Sequence, residues 1–244
     1  MAKFTFGRAL CSGAEAALLR ALLWNERREL DYHPLPNLTE SKAGRASGSF
    51  SRLKSITALL AAEISSPTVA MDVGSHIGFF SLSLVQRGWF VYSIERDQSR
   101  LLLSFLLAQQ EKRRLAAVPL RIDLDNVHYL PEADVTLCLS VWHHWVRRYG
   151  FTNATAILEA LIGKTRRLMF FDAGEEEMPA SYHLPYDREP GAAFLAKYLR
   201  ELKGVGQVRD LGRHQAMSPP DDGGRRRDVL RTLFCLQKAD YVAD

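Results

Sequence analysis

Two adjacent histidines, His143 and His144, stand between two tryptophans in the stretch Ser140-Val-Trp-His-His-Trp145. A neutral imidazole, with an unperturbed pKa near ~6.5, can take a proton from a hydroxyl close to neutrality. His144 is the candidate catalytic base, with His143 as the alternate. The indoles of Trp142 and Trp145 suit stacking on a sugar or a base, although tryptophans in an apolar stretch also read as core. Farther along, Asp172-Ala-Gly-Glu-Glu-Glu177 follows another apolar run. Glu175 and Glu176 are candidates to accept hydrogen bonds from a substrate's hydroxyls. Together with a histidine they would also suit a hard divalent cation such as Mg²⁺, which prefers oxygen ligands. A solvated loop is the ordinary reading of such a run, so no metal ligand is assigned.

These groups need a scaffold, and the clearest sign of one lies upstream. Val69-Ala-Met-Asp-Val-Gly-Ser-His-Ile-Gly-Phe-Phe80 reads as a buried strand, a sharp glycine turn and the start of a helix. A second apolar run, Trp89 to Ile94, is closed by Glu95. The pattern Asp72-x-Gly74-x-x-x-Gly78 departs from the dinucleotide fingerprint G-x-G-x-x-G, whose glycines bring backbone against a pyrophosphate. Here a carboxylate ends the strand and would repel a phosphate. It suits a ligand that carries an ammonium group and no phosphate, such as S-adenosylmethionine (SAM). Glu95 lies about 20 residues past the first glycine, the spacing of a strand-helix-strand unit whose acidic residue binds a ribose.

From roughly residue 68 to 238 the sequence resembles the class I SAM-dependent methyltransferases. The resemblance implies that Asp72 binds the methionine ammonium, directly or through water, and that Gly74 lets the cofactor approach the backbone. Ser75, His76 and Gly78 would line the same turn. Glu95 would accept both ribose hydroxyls, with Arg96 beside the adenine. In Arg121-Ile-Asp-Leu-Asp125, Asp123 would bind the adenine amino group and Leu124 would pack on the ring, with Asp125 competing for the first role. Ser140, at the end of strand four, would face the reacting centre. The Asn/Asp-Pro-Pro-Tyr/Phe pattern that accompanies amino-group methylation is absent, so the expected reaction is O-methylation. A sugar or oligosaccharide is the favoured acceptor, because stacking aromatics and carboxylates suit carbohydrate. In some relatives the first of two paired histidines mainly supports the cofactor pocket. An RNA methyltransferase and a catalytically inactive SAM-binding scaffold remain alternatives, and a nicotinamide dehydrogenase stands third.

The rest of the chain is consistent with that frame. It has 244 residues, 47% hydrophobic and 25% charged, which suits one α/β domain with a small extension. Strands are expected at Val69–Val73, Trp89–Ile94, Val118–Ile122, Asp134–Leu139 and Leu168–Asp172, with two more at Gln207–Leu211 and Arg231–Leu236. Helices are expected at Phe79–Arg87, from Asp97 to about Leu115, and at Thr152–Ile162 and Ala192–Lys203. Alternation of this kind predicts a doubly wound, Rossmann-like, mostly parallel sheet with a terminal antiparallel strand. Residues 67–244 form this core. Residues 1–66 form a helical extension, a lid or a wall of the acceptor pocket. It would hold a helix from Ser12 to about Arg28, a break at Asp31–Pro36, a small-residue loop over Ser41–Gly48 and a helix over Phe50–Ile64. The net charge is +4, and the basic residues fall in short clusters such as Arg147-Arg148 rather than in a stripe with interleaved aromatics. Nucleic acid is therefore the lesser expectation as a partner. Cys11, Cys138 and Cys235 show no C-x-x-C spacing, no secretory signal is evident and no apolar run reaches ~20 residues. A cytoplasmic protein with no membrane span is the expectation.

Overall fold

Short apolar runs bounded by glycine, proline and charged residues become the strands of a single sheet in a computed structural model of the chain. The structure describes residues 13–26, 44–110, 114–186, 189–220 and 224–241. Among these, β1 (Val69–Val73), β2 (Phe90–Glu95), β3 (Leu115–Pro119), β4 (Ala133–Leu139) and β5 (Thr165–Asp172) lie parallel. β6 (Val205–Met217) and β7 (Asp228–Lys238) pair antiparallel, and β7 inserts antiparallel beside β5. The strand order is β3-β2-β1-β4-β5-β7-β6. Sequence order therefore reverses between β1 and β4. In open α/β sheets, the crevice beyond the carboxyl ends at such a reversal is where ligands bind. Register sets the crevice walls: Val73 lies opposite Ile94 on one side and Cys138 on the other. Asp72, Glu95 and Ser140 thus come to one edge.

Helices cover both faces. They are α1 (Gly13–Asn25), α2 (Gly44–Glu63), α3 (Phe79–Val85), α4 (Gln98–Gln110), α5 (Trp142–Tyr149), α6 (Phe151–Lys164) and α7 (Gly191–Glu201). Leu19 and Leu23 of α1 and Leu53, Ile56 and Leu60 of α2 are buried in the same core as Leu82, Leu137 and Phe170. The opposite face packs α5, α6 and α7 against Met71, Met169 and Phe171. The two helices before β1 are thus continuous with the hydrophobic interior on one side of the sheet.

Several boundaries differ from the sequence reading. The third strand begins at Leu115, where the preceding helix was expected to end, and it stops at Pro119 instead of continuing to Ile122. Its Leu-Ala-Ala segment favours helix by local propensity, so pairing with β2 overrides that preference, and Pro119 has no N–H to extend a ladder. Residues 44–48 are helical rather than loop. Gly48 marks where α2 meets β6, and a Cβ there would overlap the Gln215 carbonyl. Gly48 read as part of a flexible loop, and it is glycine because two backbones approach closely there. The last two strands are far longer than the expected Gln207–Leu211 and Arg231–Leu236, because they form a hairpin whose outer half needs no apolar alternation. Helix α5 was missed altogether: Trp, His, Val and Tyr are weak helix formers, and burial of Trp142, His143, Trp145 and Val146 holds it. Ser12, the break at 31–36, Ser41 and Cys11 lie outside the described residues.

Candidate active site

The glycine turn after β1 is built as a backbone cradle. Gly74 has φ +68° and Gly78 φ +84°, both in the left-handed region that favours glycine. A Cβ on Gly74 would come within 2.6 Å of Val141 Cγ2, and one on Gly78 within 2.5 Å of Ser104 Cβ. His76 also adopts a positive φ, 54°, an unusual conformation for a residue with a side chain. What fixes it is Glu95: the His76 N–H donates to Oε2 at 2.9 Å, and the Asp97 N–H donates to Oε1 at 2.9 Å. Each carboxylate oxygen keeps lone-pair capacity after accepting one backbone bond. Two oxygens anchored side by side at a strand end fit a pair of vicinal hydroxyls. Arg96 follows immediately and is exposed.

Asp72 lies deeper. Its Oδ2 accepts a 2.6 Å bond from Ser81 in α3, and Ser81, Ser93 and Ser75 continue as a buried hydroxyl chain. Burial raises the Asp72 pKa to about 6; the Ser81 bonds pull it down in part, and the nearby Glu95 adds to the rise. A carboxylate that is costly to ionise gains from a cationic ligand at the turn. Asp123 accepts from the Asp125 and Asn126 N–H groups at 3.1 Å each, which shapes a turn, and Leu124 beside it is half-buried.

The carboxyl ends of β4 and β5 hold a buried ionic network. Ser140, with φ 58°, donates from Oγ to Asp172 at 2.8 Å. Asp172 is paired at 2.5 Å with Arg52, which comes from α2. Arg231 of β7 donates from Nη1 to Ser140 Oγ at 3.2 Å and from Nε to Glu177 at 2.7 Å. Burial alone would raise the Asp172 pKa, but Arg52 and Arg231 outweigh it and hold the carboxyl below its usual range. Sequence reading missed Arg52 and Arg231. One signal was available: Arg231 is a lone charge in an apolar strand run, and such a charge must find a partner.

The two histidines play different parts. His143 is buried, and its Nδ1 accepts the Gly174 N–H at 2.9 Å. That bond fixes the neutral tautomer with the proton on Nε2. His144 packs on His143 with ring centres 4.4 Å apart and keeps an exposed ring. The surrounding protein and the guanidiniums of Arg96, Arg231 and Arg147 lower its pKa to about 4. The imidazole is therefore neutral at physiological pH and a weak base.

Trp142 is fully enclosed among Phe151, Phe171 and Tyr198, and Trp145 is also buried. Both indoles sit in the core rather than on an open face. The glutamates are tied down as well. Glu175 accepts from the Thr232 N–H at 2.6 Å and from Arg213 at 3.3 Å, and Glu176 accepts from the Gly191 N–H. Among the described residues no group of three or more His, Cys, Asp or Glu side chains is placed to hold a metal ion. None of the described helices is long and apolar enough to cross a membrane.

This sheet order, with an antiparallel hairpin at the far edge and a glycine turn facing an acidic strand end, is the fold of the class I SAM-dependent methyltransferases. Among solved structures, the chain is similar to the bifunctional kinase-methyltransferase WbdD, with 22% identity and a TM-score of 0.66 over 93% of this chain. It covers 47% of that protein, so the chain spans about half of its length. It is also similar to magnesium protoporphyrin IX methyltransferase (ChlM) from Synechocystis PCC 6803, solved with SAM. There the identity is 16% and the TM-score 0.57 over 95% of this chain and 99% of that one. No protein-family model and no curated protein matches the sequence.

Proposed function

We propose that the protein is a SAM-dependent O-methyltransferase acting on a polar acceptor, with a sugar or oligosaccharide scaffold favoured. The observation that supports it most is the Glu95 carboxylate, held by the His76 and Asp97 N–H groups beside the glycine turn. Glu95 would hold the ribose hydroxyls, Gly74 and Ser75 would admit the methionine part, and Asp72 would face its ammonium. Asp123 and Leu124 would border the adenine. The cofactor, when bound, supplies an activated methyl carbon on a positively charged sulfur.

The chain's own contribution is position and field. Ser140 stands at the end of β4 with its hydroxyl fixed by Asp172, and His144 follows on α5 with an exposed side chain. Holding an acceptor oxygen in line at near-attack distance accounts for much of the rate of such a reaction. His143 supports the wall through Gly174. His144 is the imidazole left to face the acceptor, as base or as hydrogen-bond partner. The extension carrying α2 shapes the acceptor side, because Arg52 belongs to the network there. Trp142, Trp145, Glu175 and Glu176 serve the framework in this reading. Buried, reduced Cys138 and Cys235 accord with a cytoplasmic location.

The reading is tested by following labelled methyl from SAM into a panel of neutral and acidic oligosaccharides, with and without ribonuclease. Label in saccharide that survives ribonuclease supports it. Label that disappears with ribonuclease turns the assignment to RNA, and no transfer to any oligosaccharide contradicts the sugar scaffold.

A further inference from the structure

A cavity between α6 and α7 plays no part in the proposed reaction. Its volume is about 420 Å³, and it shares no lining residue with the glycine turn, Glu95 or the Ser140 network. That size suits a small organic molecule. Three aromatic rings line it: Phe151 at the start of α6, and Phe194 and Tyr198 one turn apart on α7. Phe194 and Tyr198 stack at 15° with centres 5.8 Å apart. The Phe151 ring lies 5.4 Å from Tyr198 and 6.3 Å from Phe194. Phe151 keeps 37% of its surface exposed, so a large apolar group stands uncovered at the cavity wall. The Tyr198 hydroxyl is engaged by Thr155 at 2.9 Å, and burial pushes its pKa up to about 12, so this ring brings no charge.

The charges of the lining are one-sided. Among the described residues three carboxylates, Glu159, Glu189 and Glu201, stand against one ammonium, that of Lys197. An anion entering here would be repelled, and a neutral apolar guest would cover the carboxylates without answering their charge. A cation is favoured twice, by the carboxylates and by the negative faces of aromatic rings, and the second attraction grows as water is excluded. We infer that this cavity is a binding site for a small organic cation, an ammonium carried on an apolar body. The apolar body would sit among Phe151, Phe194 and Tyr198, and the ammonium would face Glu159 and Glu201. The site goes beyond the methyltransferase reading and does not depend on it. It adjoins the crevice through Trp142, the first residue of α5, whose ring lies 5.3 Å from Tyr198 and 6.0 Å from Phe151.

The test titrates phenethylammonium calorimetrically into the purified protein at neutral pH and constant ionic strength. Phenethyl alcohol and phenylacetate serve as neutral and anionic counterparts of similar shape. Saturable binding of the cation is expected, about tenfold or more tighter than either counterpart, the range of a desolvated cation–π contact supported by carboxylates. Glu159→Gln/Glu201→Gln keeps the shape of the site and should bring the cation down to the level of the alcohol. Phe194→Leu keeps an apolar wall and should weaken the cation more than the alcohol. Glu132→Gln removes an exposed carboxylate outside the cavity, one paired with Arg166, and should change nothing. Urea denaturation checks that each variant is folded. Absence of binding by the cation, equal binding of the three probes, or a preference for the cation that survives in the folded double variant overturns the inference. A parallel titration with SAM bears on the proposed function alone.

Discussion

His76 and Glu95 are joined by a 2.9 Å hydrogen bond from the backbone N–H of one to Oε2 of the other. The bond links the glycine turn after β1 to the end of β2, so the two sequence elements that suggested a nucleoside site are mechanically one unit. Glu95→Ala removes the acceptor of two backbone bonds and the proposed ribose ligand together. SAM affinity should fall by about 10–100-fold, the range for losing charge-assisted hydrogen bonds. Glu95→Gln, which keeps one acceptor oxygen, should fall between. Calorimetric titration reads both, and unchanged affinity in the alanine variant would sink the ribose assignment.

Asp72 couples stability to pH. Its folded-state pKa is raised to about 6 by burial. Between the unfolded value and 6 the folded protein holds a proton that the unfolded chain has released, so Asp72 lowers stability as pH rises through this window. Asp72→Asn keeps an acceptor for Ser81 and removes the ionisation. The variant should equal the wild type near pH 4 and exceed it by about 1–3 kcal/mol above pH 6.5, while binding SAM more weakly. Urea denaturation across pH measures the difference, and a gap that does not grow with pH would contradict it.

Arg52 and Asp172 form a buried ion pair between α2 and the end of β5. Removing one partner leaves an uncompensated buried charge. Arg52→Ala should therefore cost about 3–5 kcal/mol, and adding Asp172→Asn should recover most of the loss. Chemical denaturation of the two variants is the check. Failure of the second substitution to rescue would show that Arg52 acts through its packing over Phe80 instead.

That pair also marks the limit of what the sequence made legible. Asp72, Gly74, Gly78 and Glu95 were readable because their signals are local: a glycine where φ must be positive, a carboxylate where an apolar run ends. The mostly parallel sheet followed from the alternation of strands and helices, and the antiparallel end from the lack of a helix between the last two runs. Arg52, Ser140, Asp172 and Arg231 were not readable as a group, because they meet across more than half the chain. Trp142 illustrates a different limit, since its residue type allowed either a stacking platform or a core position. The unseen helix α5 decides between them by turning the indole into the core. The longest misreading by boundary, β6 and β7, arose because an edge hairpin tolerates polar residues that hide its length.

His144 should titrate far from an ordinary histidine. The surrounding protein and three guanidiniums hold its pKa at about 4, so it stays neutral from pH 5 upward. Imidazole nitrogen shifts followed by NMR should show one histidine with that midpoint. Arg147→Ala should move the midpoint upward by removing one positive neighbour. A wild-type midpoint near 6.5 would contradict this reading of its surroundings.

The most direct test of the central claim is calorimetric titration of the purified protein with SAM and, separately, with NAD. The account predicts saturable, micromolar SAM binding and no binding of NAD, because a carboxylate near the end of β1 would repel a pyrophosphate. Silence with SAM from the folded protein, or binding of NAD in its place, would contradict it.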